Sequence, residues 1–119
     1  MASTPTRDTP LRGEVWDVDL DPVRGHEQGG HRPALVLSVD RFNLSPAGLT
    51  VVAPFTRRDK GIRMHVRILP PEGGLREVSY LKPEDIRGVS LERLGRRWGA
   101  LSPALMAEVE TRLRYLLGL

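Results

Sequence analysis

The stretch GEVWDVDL, residues 13–20, decides how the rest of the chain is read. Trp16, Val18 and Leu20 alternate with Asp17 and Asp19, and this period of two predicts a half-buried strand. Trp16 reads as core rather than as a platform for stacking a base. Asp21-Pro22 ends the strand, and the loop RGHEQGGHRP, residues 24–33, follows. Beyond it ALVLSV (34–39) is a continuous β-favouring run, and LTVVAPFT (49–56) is a second, with Pro54 near its end. Between them DRFNLSPAG has turn chemistry. MHVRIL (64–69) alternates again, PPEGG is a turn, and EVSYLKPEDI reads as a strand that breaks at Pro83.

Towards the C-terminus SLERL (90–94) suits one helical turn capped by Ser90, and RRWGAL a short last strand. Ser102-Pro103 then starts a helix. Leu105, Met106, Val109, Leu113, Leu116 and Leu117 share one face of it, Glu108–Arg112 and Glu110–Arg114 pair on the other, and Gly118 stands at the C-terminal cap. Five or six strands followed by a helix, without strand–helix alternation, argue against a doubly wound parallel sheet. The expected fold is mainly β: a small, mostly antiparallel barrel or curled sheet carrying a C-terminal helix.

The 119 residues suit one domain, read as residues 11–119 behind a frayed, polar, proline-containing tail at 1–10. The absence of cysteine removes a disulfide framework and a thiolate metal site, and fits a reducing compartment. No apolar run approaches the roughly 20 residues of a membrane span, and the N-terminus lacks the hydrophobic core of a secretory signal. The expectation is a cytoplasmic protein. The formal charge of +3 is modest. Its distribution is not: TRRDKGIRMHVR (56–67) holds Arg57, Arg58, Lys60, Arg63 and Arg67 against Asp59 alone. Such a cluster suits a polyanionic partner, or simply a solvated loop.

There is no GxxxxGK[ST] phosphate loop, no GxSxG elbow and no HExxH pair. Three His without Cys argue against zinc, so no metal or cofactor is expected. The loop 24–33 is what remains. Arg24 and Arg32 flank Gly29-Gly30, where a backbone without side chains approaches an anion closely. Arg32 precedes Pro33 and is biased to an extended conformation at the mouth of a strand. A guanidinium held there suits a pentacovalent phosphoryl transition state. Metal-free RNA cleavage needs a proton acceptor for the 2′-OH, a cation over the phosphate and a proton donor for the 5′-oxygen. Glu27 and His31 are possible bases, either loop His a possible acid, and the Thr56 hydroxyl can reach a phosphate oxygen. Each has a plainer reading: a polar loop His, a Glu27 that neutralises Arg24 or Arg32, a structural Arg32, an ordinary strand Thr56.

Taken together, RGEVWDVDLDPVRGHEQGGHRPALVLS (12–38) closely resembles the N-terminal signature of the MazF/PemK toxin family. That signature is a strand, a DP turn, a G-x-E-Q-x-G-x-RP loop and a buried strand. VVAPFT, HVRI, YLKPEDIRGVSLERLG and LSPALMAEVETRLRYLLGL extend the likeness over nearly all of 11–119. The resemblance implies a homodimeric SH3-like barrel of the CcdB/PemK type. It implies a toxin that cuts single-stranded RNA, often mRNA, without metal at short sequences. The products would carry a 2′,3′-cyclic phosphate and a 5′-OH, and an acidic MazE-like antitoxin would block the groove. Arg32 matches the family arginine before proline, Thr56 the strand-end threonine and Glu27 the loop glutamate, so these three are the expected catalytic residues. Gln28, Gly29, Gly30 and His31 in the loop, with Arg57, Arg58, Arg63 and Glu84, are the expected RNA contacts.

The chain departs from the family pattern at several positions. Gly88 replaces the usual Thr after Ile-Arg, Asp85 a usual Gln, and His26 stands where Ser is common. Pro83 interrupts a strand that is otherwise regular. Some members place Arg and Asp at the equivalent of 82–84; here Glu84 fills the acidic role and Lys82 stands in for the arginine. Two other classes share the barrel or the charge: a non-enzymatic gyrase poison acting through its C-terminal helix, and an RNA-binding module without cleavage. The chain ends YLLGL, without the closing aromatic expected of the former.

Overall fold

The computed structural model describes residues 9–22, 24–27 and 29–119. Among them, seven strands form one curled sheet: β1 Glu14–Asp19, β2 His31–Val36, β3 Leu49–Thr56, β4 Val66–Ile68, β5 Ser79–Leu81, β6 Arg87–Ser90 and β7 Leu94–Ala100. One helical turn, α1 Asp40–Asn43, lies within the segment read as turn chemistry, and α2 Pro103–Leu117 closes the chain. Of the 1–10 tail only Thr9 and Pro10 are among the described residues. No helix among the described residues is long and apolar enough to cross a membrane.

The strand order is β4-β5-β3-β2-β1-β7, with β6 also paired to β3, and every pairing is antiparallel. Of the two forms the alternation allows, barrel or curled sheet, the chain takes the open one: β4 and β7 end the path without pairing to each other. The β1–β7 pairing is irregular on either side of Trp16, which bends the sheet. Exposed Arg96 and Arg97 stand on this edge strand, where charge discourages pairing with another chain.

The predicted strand at 34–39 begins three residues earlier, at His31, and ends at Val36. Arg32 is therefore inside a strand, opposite Val18. β3 matches the predicted 49–56. It is central, yet it holds Pro54. The strand beside it is interrupted there: β6 pairs as far as Val52, β5 starts at Phe55, and a 3₁₀ turn at Pro83–Asp85 fills the gap. The Pro54 carbonyl accepts from the Lys82 amide at 3.0 Å. Strand β6, between Ile86 and the turn at 91–93, is not visible in the hydropathy pattern because Arg-Gly-Val-Ser has a single apolar side chain.

β1 is buried on both faces, not one. Val15 joins Leu35, Phe55, Ile68, Met106 and Val109 under α2. Trp16, Val18 and Leu20 join Val36, Val52 and Val89 on the opposite face. Trp16 is buried, and its indole donates to the buried Glu14 carboxylate at 3.1 Å, in agreement with the core reading. Helix α2 carries the predicted caps: the Leu105 amide donates to Ser102 Oγ at 3.3 Å, and Gly118 is left-handed with φ 72°. Met106 and Val109 are buried and Leu105 and Leu113 half-buried, whereas Leu117 at the end of the same stripe is exposed. Both predicted ion pairs form, Glu108–Arg112 at 3.4 Å and Glu110–Arg114 at 3.8 Å.

Candidate active site

The β2–β3 register fixes the centre of the site. Ala34 pairs with Pro54 and Val36 with Val52. Two more steps along this antiparallel ladder bring Arg32 level with Thr56. Both side chains line one cleft of about 510 Å³, together with His31 and Arg57. The cleft lies where β2 begins and β3 ends, so His31, Arg32 and Thr56 are carried by strand ends, while Arg57, Arg76 and Glu77 come from the loops after β3 and before β5. Arg32 is half-buried and its Nε donates to the Gly29 carbonyl at 3.1 Å. Thr56 is buried, and its Oγ1 accepts from the Arg58 amide at 3.3 Å, leaving the hydroxyl proton for an oxygen in the cleft.

Four further residues of the cleft escaped the sequence reading: Asp17, Arg76, Glu77 and Trp98. Asp17 shares the Val15 face of β1 and is half-buried. Its Oδ2 stands 3.6 Å from His31 Nδ1, across the neighbouring strand. Glu77 holds Arg57 at 2.6 Å, an exposed pair. The Arg76 guanidinium lies 5.7 Å from the Trp98 ring centroid, within cation–π range. The signal for this wall was present in RRWGAL, where two arginines abut a tryptophan, but nothing local says that β7 and the loop before β5 meet at the Arg32 cleft.

The glycine loop is closed on itself. The Leu20 amide donates to the Gly30 carbonyl at 3.0 Å, and the Gly30 amide to Asp21 Oδ1 at 2.9 Å. Gly30 has φ 72°, a conformation that side chains resist. Its amide is thus committed to Asp21 rather than offered to an anion. Glu27 is exposed, and its carboxylate accepts from the Arg24 amide at 2.6 Å. Glu27 does not line the Arg32–Thr56 cleft. It lines a second cavity of about 460 Å³ with His26, Lys60, Lys82, Glu84 and Asp85. There Glu84 meets buried His65 at 2.7 Å, and Lys82 stands 3.8 Å from Asp85. Gln28 lies outside the described residues.

The basic run 56–67 is dispersed by the fold. Arg57 enters the cleft, Lys60 the second cavity, and Arg63 a groove against α2, where its carbonyl accepts from Arg112 at 2.7 Å. Arg58 is exposed beside the cleft. Of the expected RNA contacts, then, His31 and Arg57 join Arg32 and Thr56, whereas Arg63 and Glu84 do not. Among the described residues no three His, Asp or Glu side chains are grouped to hold a metal ion.

A small curled sheet whose strand ends present a half-buried arginine and a buried hydroxyl beside an arginine and a tryptophan suits an anionic ligand. Residues 11–117 match the family of PemK-like, MazF-like toxins of type II toxin–antitoxin systems. Endoribonuclease MazF9 of Mycobacterium tuberculosis is 37% identical over 113 residues, covering 91% of this chain and 96% of its own. The crystal structure of MazF from Deinococcus radiodurans superposes with a TM-score of 0.82 at 31% identity, covering 93% of this chain and 98% of that one. A MazE–MazF crystal structure from the same organism superposes with a TM-score of 0.73 at 28% identity, over 93% and 97% of the two chains. The chain belongs to the PemK/MazF toxin family.

Proposed function

We propose that this MazF-like toxin endoribonuclease cuts single-stranded RNA in the Arg32–Thr56 cleft, by attack of the 2′-oxygen on the adjacent phosphorus. The P–O5′ bond breaks, a 2′,3′-cyclic phosphate remains on one product, and the proton reaches the departing 5′-oxygen. The observation that carries the reading is the register that sets Arg32 beside Thr56 at the open end of two strands. The guanidinium neutralises charge that grows on the phosphorane, and the Thr56 hydroxyl donates to a non-bridging oxygen. The proton acceptor for the 2′-OH is His31, which stands in the cleft beside Asp17, whereas Glu27 lines the separate cavity. Lewis-acid assistance is not required in this scheme, since the cation over the phosphate is Arg32.

The natural substrate is mRNA, and the protein works in the cytoplasm as a homodimer. A MazE-like antitoxin inhibits it by laying an acidic segment in the basic cleft, as the existence of MazE–MazF complexes among its relatives supports. The test is incubation of the purified protein with a long single-stranded RNA in excess EDTA, with Arg32→Ala alongside. Discrete cuts ending in cyclic phosphate, absent with the variant, are expected. Intact RNA with a folded wild-type protein overturns the reading.

A further inference from the structure

A second cleft, of about 360 Å³, continues from the first. The two share Asp17, Arg76 and Trp98 as walls, and the second adds Arg96 and Arg97. Arg97 is pinned by Glu14 at 2.6 Å. Arg96 is exposed on the outer edge of β7. Trp98 is half-buried, packs against the core and lines both clefts. No step of the chemistry above uses Arg76, Arg96, Arg97 or Trp98.

Backbone packing holds this wall in place. Gly73 and Gly74 have φ 63° and 74°, and a Cβ on Gly74 would meet the Trp98 carbonyl oxygen at 2.1 Å. A Cβ on Gly99 would meet the Gly73 carbonyl carbon at 2.7 Å. Only a Gly-Gly turn lying directly on Trp98-Gly99 permits this approach. The same turn leads through Leu75 to Arg76, so the guanidinium is delivered over the indole by the backbone contact beneath it.

We propose that Trp98 and Arg76 form a stacking subsite for one unpaired base next to the scissile phosphate, with Arg96 meeting the phosphate beyond it. The inference rests on the RNA-cleavage reading above and adds where the strand runs and what reads its neighbour base. An indole and the guanidinium held over it, flanked by Arg96 and Arg97 and lining the cleft of Arg32, suit a flat base joined to a charged backbone. An acidic peptide would use the arginines but has no need of the indole.

The test uses the full-length protein and a 2′-O-methyl copy of the sequence at a mapped cut site, which binds without being cut. The chain has two tryptophans, and Trp16 is buried, so quenching of intrinsic fluorescence by this oligonucleotide reports on Trp98. Saturable quenching is expected in the wild type and is lost in Trp98→Phe, which keeps an aromatic face and binds within about threefold. Trp98→Ala and Arg76→Ala each weaken binding about tenfold, in line with the loss of one stacked base. An abasic site at the stacked position weakens the wild type equally and adds nothing in Trp98→Ala. Arg76 is exposed, so Arg76→Ala and Trp98→Phe carry the test if Trp98→Ala fails to fold. A wild type that neither cuts nor binds RNA defeats the functional reading itself. A wild type that cuts, with both variants binding RNA at wild-type affinity and Trp98 unquenched, overturns the subsite alone. So does a loss confined to antitoxin binding.

Discussion

Two cavities on this molecule draw on the same residue types and differ in what those residues do to one another. The cleft at the ends of β2 and β3 is walled by Arg32, Arg57, Arg76 and Trp98 together with Asp17 and Glu77. The cavity lined by His26 and Glu27 is built from loop and 3₁₀ residues, and it sets two lysines, Lys60 and Lys82, against three carboxylates, Glu27, Glu84 and Asp85. Glu84 is spent on His65 and Asp85 lies by Lys82. The first sets Arg32, Arg57 and Arg76 against Asp17 and Glu77, with only Arg57 and Glu77 joined at 2.6 Å, and keeps a positive excess; the second has more carboxylates than lysines. Abundance of charged side chains in a sequence is therefore a weak guide to a polyanion site; what counts is whether the fold lets them pair first.

The comparison breaks most sharply at Arg32. Arg32→Ala is expected to lower the cleavage rate by about 10²- to 10³-fold with the thermal melt little changed, as when one preorganised donor to a developing oxyanion is removed; single-turnover kinetics and calorimetry on the same samples check it. Gly74→Ala tests the rigidity behind the cleft. A methyl pressed towards the Trp98 carbonyl at positive φ is expected to cost about 3 kcal/mol of unfolding free energy in urea, through backbone strain and overpacking. Thr56→Val keeps the shape and removes the hydroxyl. Cleavage is expected to fall about tenfold to a hundredfold, the worth of a hydrogen bond to a charged oxygen, measurable as kcat/KM on a short RNA. Glu27→Gln sharpens the other side: exposed, with its carboxylate on one backbone amide, it is expected to change stability by less than about 0.5 kcal/mol. Denaturant titration checks this, and cleavage by the same variant then reads its chemical role without interference from folding.

Much of the frame was legible because it rests on local patterns. The alternation in 13–20, the apolar run 49–56, Ser102-Pro103 and Gly118 each act within a few residues, and each element formed where its pattern stood. Strand β6 was not legible, since its pairing to β3 comes from backbone hydrogen bonds that do not depend on apolar side chains. The site divided in the same way. Arg32 was visible because Pro33 holds it extended at a strand start, and Thr56 because it ends an apolar strand. Arg57 joined them because it follows Thr56 directly. Asp17, Arg76 and Trp98 were not visible as site residues, because they reach the cleft from three segments far apart in the chain.

By itself the sequence determined the identity and order of the main elements, the family, and the residues proposed to act on phosphate, since period, capping and turn chemistry are properties of neighbouring residues. Only the tertiary structure decided which charges stay available. Register set Arg32 level with Thr56, the curl of an open sheet brought β7 and its tryptophan to the same cleft, and the run 56–67 was scattered over three separate surfaces. Those outcomes depend on long-range pairing and on close backbone contacts such as Gly74 on Trp98, which no stretch of neighbouring residues encodes.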